Sequence, residues 1–168
     1  VSKGMFYAGT WASNVDFQDE PQDTNLELDI YGGFAGEFAN GIGWDVGAIA
    51  YLYPDTEDAD LDFTELYGGL FKELESGLSF SGYVYYDFDN QNIYVEGSAA
   101  YAVADAVSFD ATVGNYSFDA GGDYTSFSIG STYASPIGVD FDLRLWGTDV
   151  DNVSIADERV VLSVSKSL

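Results

Sequence analysis

Cysteine and histidine are both absent from the 168 residues. Their absence excludes disulfides, a thiolate nucleophile, an imidazole base and zinc sites of the usual Cys/His kind. Positive charge is scarce: 5 Lys plus Arg stand against 29 Asp plus Glu, for a net charge of −24. Such a chain has nothing with which to neutralise a phosphate backbone, which excludes nucleic acid as a partner. No apolar run approaches the ~18 residues that a transmembrane helix needs. There is no glycine-rich phosphate loop and no nucleophile elbow, so the expectation is a protein that is not an enzyme and carries no cofactor. What the chain does have is 13 Tyr, 12 Phe and 19 Gly, with 46% hydrophobic residues. A disordered acidic chain would be poor in aromatics; this one folds, as one domain over 1–168. Val1-Ser2-Lys3 reads as the interior of a longer protein or as a mature, processed chain.

Residues 25–53 carry the governing pattern. Leu26, Leu28, Ile30, Phe34 and Phe38 share one face, and Glu27, Asp29, Tyr31, Ala35 and Glu37 share the other. After a tight turn on Asn40-Gly41, Trp44, Val46, Ala48, Ala50 and Leu52 alternate with Asp45, Gly47, Ile49, Tyr51 and Tyr53. A period of two over about ten residues predicts strands. The pattern recurs with variations and predicts ten strands, at 4–16, 25–38, 42–53, 63–73, 77–88, 91–103, 106–117, 124–134, 138–148 and 159–168. The facing of the first is not fixed by its pattern.

The connections alternate as well. Short turns fall at 40–41, 75–77, 104–105 and 135–138. Longer or more acidic loops fall at 17–24, 54–62, 89–90, 118–123 and 149–158. In an up-and-down meander every second connection lies at the same end, so one rim gathers 15 of the 29 carboxylates. Two architectures suit ten antiparallel strands: a soluble barrel or sandwich with an apolar inside, or a membrane barrel with an apolar outside. The polar face holds carboxylates among Ser, Gly, Ala and Tyr, where a water-facing surface would mix Lys with Glu. Strands of about ten residues cross a bilayer when tilted. Short turns at one rim and long loops at the other follow the outer-membrane pattern. Trp11, Trp44, Tyr51, Tyr53, Tyr86, Phe88 and Trp146 near strand ends suit interfacial girdles. The expected fold is therefore all-β, an antiparallel up-and-down transmembrane β-barrel of about ten strands in a bacterial outer membrane, with lipid as its surroundings.

The stretches FYAGTWASNVDF (6–17), NLELDIYGGF (25–34), DVGAIAYLYP (45–54), TELYGGL (64–70) and RVVLSVSKSL (159–168) resemble the TorF-like family of proteobacterial outer-membrane proteins. The resemblance spans most of the chain and is best over 6–70. It implies a barrel of up to twelve strands, ten of them here, because family members usually begin with a further strand pair. It implies an architecture and a location but no catalytic residues. The closing Leu168 departs from the aromatic that usually ends such chains.

Two groups of residues are candidates for chemistry. Glu27, Asp29, Asp45, Glu65, Asp87, Glu96, Asp110, Asp140 and Asp142 face the expected lumen, with Arg144 as its one cation. Carboxylate rings in a low-dielectric wall concentrate cations. This predicts a narrow, porin-like, cation-preferring channel. The alternative is a non-conducting barrel filled by tyrosines, with Arg144 paired to its acidic neighbours and acidic surface loops meeting a partner or divalent cations. Asp55, Glu57, Asp58, Asp60 and Asp62 are the metal candidates, since closely spaced carboxylates suit calcium. That loop lacks the turn glycine and spacing of an EF-hand, and a solvated charge run with weakly held divalent ions is the simpler reading. Asp140 and Asp142, roughly 7 Å apart by strand rise, have the spacing that any alternating polar face yields and do not single out glycoside hydrolysis.

Overall fold

In the computed structural model the described residues are 1–15, 24–54, 61–154 and 156–166. They form one antiparallel sheet of 11 strands, each paired with its neighbours in sequence. The strands are β1 (Ser2–Lys3), β2 (Phe6–Asn14), β3 (Leu26–Glu37), β4 (Gly43–Leu52), β5 (Phe63–Glu73), β6 (Leu78–Asp87), β7 (Ile93–Ala104), β8 (Val107–Ser117), β9 (Tyr124–Ala134), β10 (Asp140–Thr148) and β11 (Arg159–Ser165). No helix occurs among the described residues. The ten expected strands correspond to β2–β11. The first is expected as one piece over 4–16, but Gly4 sits at φ +64° and folds Ser2–Lys3 back on β2 as a short eleventh strand.

The turns of one rim show why the strands hold their register. Residues 39–41, 75–77 and 136–138 make three copies of the same three-residue loop. In each, the residue before the loop pairs with the residue after it: Phe38 N–H donates to Ile42, Leu74 to Leu78 and Ser135 to Val139. The loop's last residue is a glycine at positive φ, namely Gly41, Gly77 and Gly138. A type I turn closed by a left-handed glycine is a favoured three-residue hairpin. The fourth short turn, between β7 and β8, leaves two residues between Ala104 and Val107 and shifts register at Val103.

The expected facing holds along β3 and β4, and the same alternation extends to β2, where Phe6, Ala8, Thr10 and Ala12 join the apolar side. That side is the exposed one. Ile129 is 57% exposed, Leu70 and Val113 are 55%, and Leu143 is 52%. Among the described apolar and aromatic side chains only Tyr53 is buried, whereas Glu65, Asp87 and Ser128 are buried. This inverts the usual globular arrangement. The polar face is concave, because a single cavity on it is lined from β4, β5, β6, β7, β8 and β9.

The sheet does not close on itself. Its edges are β1 and β11, and no contact joins them among the described residues. Counted from β2, whose edge β1 covers only in part, the strands number ten, and β2 and β11 run antiparallel. β1 occupies the edge of β2 only opposite Phe6 and Tyr7, with Val1 exchanging backbone bonds with Ala8. From Gly9 onward no described strand pairs with that edge.

Candidate functional site

The concave face is built by seating large side chains on glycines of the neighbouring strand. Tyr7 lies over Gly33, Tyr31 over Gly9, Tyr67 over Gly47, Tyr83 over Gly69, Tyr94 over Gly114 and Arg144 over Gly130. In each pair a Cβ on the glycine would overlap the ring or guanidinium. Glycine in a strand costs stability unless something packs into the space it leaves. Here the aromatic neighbour does so.

Tyrosine hydroxyls donate to the carboxylates. Tyr7 bonds Asp45 at 2.7 Å, Tyr53 bonds Glu27 at 2.6 Å, Tyr51 bonds Glu65 at 3.1 Å and Tyr94 bonds Glu96 at 3.2 Å. The Tyr67 hydroxyl meets that of Tyr7. Since Tyr7 gives its hydrogen to Asp45, Tyr67 is the donor to Tyr7, and a relay runs from β5 through β2 to β4. At the end of β4, burial and then the bond to Glu27 raise the Tyr53 hydroxyl above the ordinary phenol range.

A row of tyrosines crosses five strands toward the long-loop rim. Tyr67 stands directly opposite Tyr85, Tyr85 opposite Tyr94, Tyr94 opposite Tyr116, and Tyr116 opposite Tyr124. Successive ring centroids are 5.6, 5.8, 5.7 and 5.8 Å apart. Neighbouring ring planes are tilted by 32–42° along the row, except Tyr116 and Tyr124, which are stacked at 3°. The alternation alone did not single out this row. It is nevertheless written in the sequence as symmetry about the turns: Tyr67 and Tyr85 are equidistant from Ser76, and Tyr94 and Tyr116 from Asp105.

Closer to the short-turn rim, Arg144 gathers two carboxylates. It bonds both oxygens of Asp110, one of them at 2.9 Å, and reaches Asp142 at 3.0 and 3.3 Å. Ser128 and Thr132 complete the cluster, and Trp146 lies 5.8 Å from the guanidinium. Arg144 is not the only cation on this face. Arg159 stands opposite Trp146 in the ladder and donates to the Ser154 carbonyl at 3.0 Å.

The other expected lumen residues have different surroundings. Asp87 is 1% exposed, and its carboxylate takes the backbone N–H of Asp89 and Asn90 and the side-chain amides of Asn90 and Asn92. It holds the β6–β7 loop. Asp29 lies between Trp11 and Tyr51, with Oδ1 buried and unbonded among the described residues. Asp140 shares the face beside Ala134 and Ser165 and joins no ion pair among the described residues.

The expected aromatic girdle is divided. Trp44, Tyr86 and Phe88 belong to the apolar face, but Trp11, Tyr51 and Trp146 pair on the polar one. The alternation that makes a strand amphipathic also sends every second aromatic inward. Of the metal candidates, Asp55, Glu57, Asp58 and Asp60 lie outside the described residues. Asp62 accepts the Tyr53 N–H at 2.8 Å. Asp89 and Asp149 likewise take the N–H of Thr64 and Thr125, both at 2.8 Å, so part of the acidic rim caps strand ends. No group of three carboxylates among the described residues is placed to hold a metal.

A family model described as a bacterial protein of unknown function (Gcw_chp) matches residues 2–168. No curated protein and no solved structure matches the chain.

Proposed function

The chain belongs to the Gcw_chp family, whose function is unknown, and from its geometry we propose a β-barrel of the bacterial outer membrane that passes small cations through a narrow, acidic interior. One observation carries the reading: the strands put their carboxylates and tyrosines on a concave face and their large apolar side chains, exposed, on the convex one. Apolar surface of that extent in water would aggregate, whereas lipid accommodates it. The turns support the same orientation, since three matched short hairpins share one rim and the acidic loops share the other. The three lysines, Lys3, Lys72 and Lys166, all fall near the short-turn rim. The TorF-like resemblance of residues 6–70 points to the same membrane. Closure belongs to this proposal too: β2 and β11, the first and last of ten strands, run antiparallel, so an even-stranded barrel can close on the edge of β2 that β1 leaves uncovered.

A second reading has its own observation. Tyrosines seated on glycines fill much of the concave face, and Asp87, Asp110 and Asp142 are already engaged. A barrel so packed would hold its shape without conducting, and its acidic loops would meet a partner or weakly bound divalent ions. Planar-bilayer recording of the full-length protein in a KCl gradient separates the two. Unitary steps reversing on the cation side support the channel, and D140N/D142N then lowers selectivity while deletion of 54–62 leaves it. Inserted, folded protein that never conducts overturns the channel in favour of the filled barrel.

A further inference from the structure

We propose that the tyrosine-lined cavity at the long-loop end of the concave face binds a primary ammonium ion with a short apolar body. The cavity has a volume of about 400 Å³, within the range of small-molecule sites. Its one charged wall residue is Glu65, 6% exposed. Tyr51 donates to one oxygen of Glu65, and the other receives no hydrogen bond from a described residue. No salt bridge reaches Glu65 among the described residues, in contrast to Asp110 and Asp142. A buried carboxylate held only by a phenol favours a counter-cation.

The wall selects among cations. Tyr85 and Tyr124 line the cavity, and their hydroxyls make no hydrogen bond to a described residue. With Glu65 they put three acceptor oxygens on the wall of one cavity, which suits a ligand with several N–H donors, as a primary ammonium has. Each ring of the row packs against its neighbours, so part of every face is covered. A quaternary ammonium has no hydrogen to donate and depends on ring faces. Ile49 and the ring edges leave room for a few methylenes. The inference concerns binding and does not require conduction, so it stands or falls separately from the channel.

Isothermal titration of the full-length protein in detergent micelles tests it, with n-butylammonium as the probe. n-Butanol serves as the neutral comparison and tetramethylammonium as the quaternary one. Butylammonium is expected to bind about tenfold or more tightly than either. E65Q is expected to lower its affinity about tenfold, and Y124F a few-fold. D105N, at a turn of the opposite rim, is expected to bind as the parent does. Near-UV circular dichroism verifies that each variant keeps its fold, and Y124F decides the matter if E65Q does not fold. Equal binding of butanol overturns the proposal, as does equal binding of tetramethylammonium. Unchanged affinity in the folded variants overturns it too, and a loss in D105N as large as in E65Q shows diffuse attraction with no site.

Discussion

Two ends of one concave face treat negative charge in opposite ways. Near the short turns, Asp110 and Asp142 share Arg144, which bonds both oxygens of each. Toward the long loops, Glu65 has a phenol and no cation among the described residues. The backbone is the same meander in both places and the residues come from the same alternation, so the difference lies in one arginine on β10. A guanidinium that bridges β8 and β10 locks the sheet, because its bonds are bidentate and partly shielded from water. A carboxylate among phenols leaves charge available to a visitor.

The largest change is expected from breaking the locked end. R144M leaves Asp110 and Asp142 beside each other without their cation, and is expected to cost about 3 kcal/mol of stability in urea unfolding from detergent. The double variant R144M/D110N should recover part of that loss. If R144M unfolds like the parent, the cluster does not brace the sheet. A smaller effect belongs to the tyrosine end. G114A puts a methyl where the Tyr94 ring lies and is expected to cost about 2 kcal/mol with a weaker near-UV signal. An unchanged spectrum would show that the ring is not seated there. Smallest is Y51F, which removes the one hydrogen bond to Glu65 at a cost of about 1 kcal/mol, read in the same titration. A loss as large as that of R144M would mean that the two ends do not differ.

Strand positions and facing were legible because side chains alternate strictly with the pleat. Glu27, Asp29 and Asp45 could be put on one face from Leu26, Leu28 and Trp44 on the other. Which residues touch was less legible, because that depends on register between strands. Arg144 and Asp110 are 34 residues apart, on strands separated by β9. Their meeting follows from two successive turn geometries, not from any local pattern. Asp87 reads as one more inward carboxylate, yet the sharp loop beside it consumes its hydrogen-bonding capacity. Arg159 escaped notice as an inward residue because β11 begins with it, at the end of a long loop. The strand Ser2–Lys3 escaped because two residues are too few to show a period.

The pairing of each strand only with its neighbours in sequence makes this sheet almost one-dimensional. No ladder inside it requires distant parts of the chain to find one another, so each hairpin can form on its own turn and then add to the next. A structure of that kind is divisible. Removing one hairpin together with its loop shortens the sheet by two strands and leaves the ladders and turns outside it as they were, while contacts that reach past a neighbouring strand, such as Arg144 to Asp110 and Tyr67 to Tyr7, survive only where both partners remain. The number of strands is then a quantity that can grow or shrink in pairs, much as in a repeat protein.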